Sequence, residues 1–216
     1  MKNGSPRARL EAWLAADTAS VARALIGARL IRRLPGWEPD AGVALAGRIV
    51  ETEAYLPLVD PACHGYRGPT KRNESIFSRP GFAYVYFIYG NHYCLNVTTE
   101  APGIGGAVLI RAIEPSAGIE CMRRRRGRHV PTAALGSGPG NLCRAMGIDL
   151  RCNGADFRCG DLVIRPSSGE PPATSMGPRI GLKVAARWPL RYFDAASSSV
   201  SPFRKSLTRR PPNADG

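Results

Sequence analysis

The chain has 216 residues and 23.2 kDa, 44% of them hydrophobic and 22% charged, which is enough to bury a sizeable core within one domain. Thirty Lys+Arg against 17 Asp+Glu give a formal net charge of +13 and a pI near 10.1, which disfavours a basic partner and points to a polyanion, either nucleic acid or an anionic membrane surface. No apolar run approaches the ~18 residues of a membrane span, and the start MKNGSPRARL has no apolar signal region, so a cytoplasmic protein is expected.

Lysine occurs only at positions 2, 71, 183 and 205, so arginine-biased coding is an alternative source of part of the charge. The cysteines at 63, 94, 121, 143, 152 and 159 form no C-x-x-C pair, and His64, His92 and His129 lack zinc-ligand spacing. Reduced thiols and no metal site are expected.

Along the chain, residues 17–27 read as a short helix, with Asp17 as N-cap and Gly27 as the left-handed residue that ends it. Val43 to Tyr55 reads as a strand. Its alternation predicts Ile49, Glu51, Glu53 and Tyr55 on one face, and Val50, Thr52 and Ala54 on the other. Residues 56–80, rich in Pro, Gly, Arg and Asn, read as a long ordered loop, a length that usually signals function. Phe82 to Tyr89 is a strong strand signal, followed by Gly90-Asn91 and a second strand over 93–99. Gly first in the turn suits a type II′ hairpin.

A strand is expected over 107–112, helices over 116–126 and 141–146, and shorter strands at 161–165 and 178–184. One compact α+β domain on an antiparallel sheet, spanning residues 1–203, is predicted, with 204–216 as a disordered tail.

Glu51 and Glu53 on one strand face could form an acid/base pair. Hydrolysis of a glycosidic bond needs a group that activates water opposite a cationic sugar, and a carboxylate both accepts the proton and faces the developing charge. The plainer alternative is an exposed edge strand with two solvated glutamates. Tyr89 at a hairpin tip of a basic protein suits a wedge that fills the gap left by an extruded nucleotide; an aromatic-rich core strand is the alternative. The run Arg123 to Arg126 reads mainly as a solvated helix end, with one or two residues at most touching phosphates. Ser137-Gly138-Pro139-Gly140 could present backbone N–H groups to a phosphate.

Taken in order, RIVETEAYLPLVDPACHG (48–65), TKRN (70–73), RPGFAYVYFIYGNHYCLNV (79–97), AVLIRAIEP (107–115) and GSGPGNLCRAMGI (136–148) resemble the alkyladenine (3-methyladenine) DNA glycosylase family. DTASVARALIGARLI (17–31) also fits, and PRIGL (178–182) and PLRYF (189–193) match more weakly, so the resemblance spans about residues 10 to 203. It implies a curved antiparallel sheet or partly open barrel with peripheral helices and a protruding hairpin. It also implies a monofunctional enzyme that cuts damaged purines from double-stranded DNA with water, needs no metal or organic cofactor, and acts as a monomer.

Carried over by position, the resemblance makes Glu53 the general base, with Arg111 and the Ile180 carbonyl helping to hold the water. Tyr55, His64 and Tyr86 would surround the flipped base, and the main chain at His64 would read its edge. Asn96 would exclude guanine through a clash with its exocyclic amine. Tyr89 would intercalate, with His92 and Arg72 as further DNA contacts and Glu51 structural.

Lys71, Asn91 and Asn141 depart from the family's usual Pro, Met and Lys, which leaves the preferred lesion open. Two rival readings remain: a catalytically silent binder of damaged or distorted DNA, and a glycosidase of free nucleosides.

Overall fold

The computed structural model describes residue 10 and residues 12–167 and 169–202; the expected tail lies outside them. Helix α1 (Thr18–Ala24) starts where Asp17 accepts the Ser20 N–H at 2.9 Å, satisfying one of the donors that a helix start leaves open. Gly27 then takes φ +92 and donates its N–H to the Ile49 carbonyl at 2.8 Å. That bond joins the end of the helix segment to the sheet.

The sheet comprises β1 (Arg29–Arg33), β2 (Ala44–Tyr55), β3 (Ala83–Ile88), β4 (His92–Thr99), β5 (Gly106–Ala117), β6 (Leu162–Arg165), β7 (Thr174–Gly177) and β8 (Arg191–Asp194). The order is β3-β4-β5-β2-β1-β6, with β8 joined to β2 and β7 to β8, and every pairing is antiparallel. The sheet curls into a half-barrel, as the resemblance implied. Strand β2 is its hub. One edge pairs with β5; the other pairs with β1 over its first half and with β8 over Glu51 to Glu53.

Helices α2 (Ile119–Arg126), α3 (Thr132–Leu135) and α4 (Pro139–Met146) follow β5. The core lies between the helices and one sheet face: Val21 and Leu25 of α1 and Leu142 and Met146 of α4 cluster with Ile49, Leu95, Val108 and Ile110. Each such side chain contributes about 1.5–3 kcal/mol on burial. A smaller cluster of Cys63, Ile76, Tyr84 and Ala107 lies beyond it, with Tyr55, Phe77 and Tyr86 packed against it.

Regular alternation fails within β2. Ile49 pairs with Ile113 but Glu51 with Ala112, so Val50 is an extra residue; one step on, Thr52 pairs with Ile110 and Arg111 is extra on β5. These two bulges reset the phase. Ile49 therefore joins the core with Ala54 instead of sharing a face with Glu51, and Arg111 arrives beside the two glutamates.

Other expectations need correction. Tyr89 is not the last strand residue: Ile88 pairs with His92, and Tyr89 (φ 54) and Gly90 (φ 73) are both left-handed, whereas a II′ turn needs that only at its first central residue. Strand β5 runs on to Ala117, so α2 starts at Ile119 instead of 116. Residues 178–184 form no strand; the pairing partners there are β7 and β8, outside that segment.

The arginine run is more than a solvated end: Arg124 is exposed, yet all four side chains are engaged. Arg123 bonds Thr132, Arg124 pairs with Asp40, Arg125 with Glu38, and Arg126 donates to the Leu135 carbonyl. These residues tie α2 to the β1–β2 connection and to α3.

Candidate active site

Glu51 and Glu53 project from the bulged centre of β2, and both have 0% exposure, which overturns the picture of two solvated edge carboxylates. Glu51 Oε1 accepts from Arg111 Nε at 2.9 Å, Arg191 Nε at 2.7 Å and Ser201 Oγ at 2.8 Å, while Oε2 accepts from the Ser201 N–H at 2.7 Å. Those bonds fasten β5, β8 and the segment around Ser201 to β2. Glu53 is held differently. Its Oε1 accepts from the Ile180 N–H at 2.7 Å and lies 3.2 Å from Arg111 Nη1; its Oε2 accepts from the Tyr55 hydroxyl at 2.9 Å.

Buried beside Glu53, the Tyr55 phenol is raised well above its ordinary pKa by desolvation and by that carboxylate, so it stays a donor. Arg111 is raised as well, the charges of Glu53 and Glu51 outweighing desolvation. Glu53 is therefore locked between an arginine, a backbone amide and a phenol. At Ile180 it is the amide that contacts Glu53, whereas the resemblance implies a role for its carbonyl.

A second wall is aromatic. Tyr84 and Tyr86, two apart on β3, fall on one face as the alternation predicts, with ring centroids 5.3 Å apart. His64 lies 4.6 Å from Tyr86, and its Nδ1 is 2.9 Å from the Tyr84 hydroxyl. Asn73 fixes the loop by donating to the His64 carbonyl at 2.8 Å and the Gly68 carbonyl at 3.1 Å. Gly65 is required next to His64, because a Cβ there would stand 2.2 Å from the Gly105 carbonyl oxygen.

Desolvation and the nearby Arg72 guanidinium lower the His64 pKa below its ordinary 6.5, so the imidazole is neutral at pH 7. Tyr55, His64, Ile76, Tyr84, Tyr86, Asn96 and Ala107 line a half-open cavity of about 20 Å³, room for one water. Asn96 donates its amide to the Tyr84 carbonyl at 3.0 Å, which leaves its side-chain oxygen as the group available to the cavity.

Tyr55, His64 and Tyr86 also border a wider groove of about 430 Å³, together with Tyr89, His92, Arg111, Gly140 and Ile180. The groove thus joins the aromatic wall, the residues that hold Glu53, and the hairpin. Tyr89 is 83% exposed at the hairpin tip. His92, the first residue of β4 next to the hairpin tip, packs so closely on the start of α4 that a Cβ at Gly140 would be 2.8 Å from its ring. Arg72 reaches the hairpin too, donating to the Phe87 carbonyl at 3.4 Å. Nine of the ten expected site residues therefore fall on this groove, on the cavity behind it, or in contact with their walls, while Arg72 lines neither and bonds the hairpin at Phe87.

Four residues of the site are missed by sequence reasoning: Asp60, Arg179, Arg191 and Ser201. Arg179 and Asp60 form a buried bidentate pair, and the Arg179 guanidinium lies 4.6 Å from the Tyr55 ring centre. Asp60, Arg179 and Arg191 stand inside segments that carry the resemblance, so their placement there is the available signal; Ser201 has none. Among the described residues, no group of three or more His, Cys, Asp or Glu is placed to hold a metal ion. No helix among them is long and apolar enough to cross a membrane.

Comparison with known proteins agrees with this geometry. The family model for methylpurine-DNA glycosylase matches residues 12–198. A protein of Methanoculleus marisnigri is 46% identical over 189 residues, covering 86% of this chain and 94% of its own length. One of Carboxydothermus hydrogenoformans is 44% identical over 192 residues, 88% of this chain and 96% of its own. One of Rubrobacter xylanophilus is 49% identical over 165 residues, 74% and 84%. Each bears the name "Putative 3-methyladenine DNA glycosylase". With a family model matched across most of its length, and with the residues of the groove lying inside that match, the chain belongs to the methylpurine-DNA glycosylase family.

Proposed function

We propose that this protein flips an alkylated or deaminated purine out of duplex DNA and hydrolyses its N-glycosidic bond with a water activated by Glu53, leaving an abasic site. The observation that carries this reading is the state of Glu53: a buried carboxylate held by Arg111, the Ile180 amide and the Tyr55 hydroxyl, next to a groove with an aromatic wall. A carboxylate has about four lone-pair positions; three partners leave one on Oε2 for water. As the bond between the purine nitrogen and C1′ breaks, its electron pair leaves with the base. Water oxygen bonds to C1′, and its proton passes to Glu53, which also faces the oxocarbenium-like sugar.

Arg111 holds the carboxylate in place and, lining the groove, is available to a phosphate of the flipped nucleotide. A cationic base such as 3-methyladenine departs neutral without further help, whereas hypoxanthine needs a proton as it leaves. Tyr55, His64 and Tyr86 stack around the extruded base, and stacking on electron-rich rings favours cationic purines. The neutral imidazole of His64 adds no repelling charge. The small cavity has room for a water but not a purine, so the base occupies the wider groove and presents its edge to Asn96, whose side chain would clash sterically with the guanine exocyclic amine. Tyr89 fills the vacated place in the duplex, and extrusion costs roughly a few kcal/mol, less at a damaged pair. His92 and Arg72 flank the wedge where the DNA backbone passes.

The test is single-turnover cleavage of a duplex carrying one hypoxanthine or ethenoadenine, followed by alkali, for wild type and Glu53→Gln, with methylated DNA as a second substrate. Abasic-site formation by wild type alone is expected. Equal rates in the two proteins remove Glu53 from its role, and tight binding with no base release from any substrate identifies a silent binder of damaged DNA. Cleavage of free nucleosides in preference to duplex would reassign the substrate.

A further inference from the structure

Asp60 and Arg179, 119 positions apart, meet as an ion pair whose side chains both have 0% exposure. Arg179 Nη2 donates to Asp60 Oδ1 at 2.9 Å; Nη1 donates to Asp60 Oδ2 and, at 2.9 Å, to the Ala54 carbonyl. Asp60 also accepts the backbone N–H of Leu56 at 3.3 Å and of Ala62 at 3.0 Å. The Nε of Arg179 is buried without a hydrogen-bond partner.

Stability is a poor explanation for such a pair. Desolvation offsets most of its attraction, apolar replacements are often as stable, and an orphaned donor adds a cost. Its contacts instead converge on the surroundings of Glu53. Ala54 and Tyr55 follow Glu53 on β2, and the guanidinium lies over the Tyr55 ring. Ile180 follows Arg179 in a segment that has no regular hydrogen-bonded structure of its own. The two groups so anchored are the donors to Oε1 and Oε2 of Glu53.

We infer that Asp60 and Arg179 are a positioning pair: they hold the Ile180 amide and the Tyr55 hydroxyl on the two oxygens of Glu53, and so aim its free lone pair at the attacking water. The inference rests on Glu53 being the base. Neither residue touches substrate. Their effect is on the rate of the bond-breaking step, where a misplacement of about 1 Å costs on the order of 100-fold.

The test compares wild type, Asp60→Asn, and the double variant Asp60→Asn/Arg179→Met, which removes both buried charges. Single-turnover rates at saturating enzyme and affinity for a duplex carrying an uncleavable abasic analogue are measured separately on protein shown to be folded. Expected is a rate loss on the order of 100-fold in the double variant, with affinity within about twofold of wild type.

A folded double variant with the wild-type rate overturns the inference, as does a parallel loss of rate and affinity. Failure of both variants to fold also overturns it, by making the pair a determinant of the fold. If Glu53→Gln is as active as wild type, it is the underlying assignment that fails, whatever the pair does.

Discussion

Glu51→Gln separates the two glutamates of β2. The substitution keeps the shape of the side chain and removes its charge from a cluster that is electrically balanced, with Glu51 and Glu53 facing Arg111 and Arg191. Glu51 makes four contacts of 2.9 Å or less, to Arg111, Arg191, and the amide and hydroxyl of Ser201. A glutamine turns an NH2 toward some of those donors. It leaves Arg111, 8% exposed, with Glu53 as its remaining carboxylate, and Arg191, 6% exposed, with no carboxylate partner among the described residues. Breaking a buried ion pair by removing one partner costs about 3–5 kcal/mol. For a chain of this length each kcal/mol lowers the melting temperature by roughly 2–4 °C, so a drop of about 6–20 °C is expected.

Thermal unfolding followed by circular dichroism, with a urea titration at 25 °C, measures it. The contrast with Glu53→Gln sharpens the result: Glu53 pairs with a single arginine, so its substitution should cost less stability and far more rate. A melting temperature for Glu51→Gln within about 2 °C of wild type, well below the shift that buried pairs give, would refute the reasoning that Glu51 is the structural carboxylate.

Two further outcomes follow from the site. Tyr89→Ala removes an exposed side chain from a residue held at φ 54. Melting should move by about 2 °C at most, since surface changes stay near ±0.5 kcal/mol, while affinity for lesion-containing duplex falls severalfold; unchanged affinity would exclude the wedge. The His64 pKa is lowered by desolvation and Arg72, so in the folded protein the ring stays neutral through pH 6.5, where the unfolded chain is already taking up protons. Stability from this group is thus present at neutral pH and declines as pH falls below 6.5. Binding of duplex carrying cationic methylated purines should hold from pH 8 to 6.5 and weaken below, as an imidazolium would face a cation; affinity that rises on acidification would contradict the neutral-ring reading.

Much of the site is legible in the sequence because it is built from local pattern. Tyr84 and Tyr86 share a face through the two-residue period of a strand, Asp17 caps a helix by its own chemistry, and Gly147 ends α4 with φ 66 as a residue without a Cβ readily does. The turn at Tyr89 is not legible in this way: Gly90 is the obvious residue to begin it, yet the pairing of Ile88 with His92 places Tyr89 there. The arginine run reads as solvated because its acidic partners, Glu38 and Asp40, lie more than 80 positions earlier.

The sequence by itself determined the central elements, the excess of positive charge, and the order of segments that resembles a glycosylase family, since helix caps, strand periods and motifs depend on neighbours along the chain. Tertiary structure alone decided which partners each carboxylate meets. The paired bulges at Val50 and Arg111 exist only when β2 meets β5, and they shift the phase that alternation would have kept. Asp60 meets Arg179, and Glu51 meets Arg191 and Ser201, across separations of 119 to 150 residues. A charge becomes a positioned group only when folding removes its water and supplies its partners, and no local pattern encodes which partners those are.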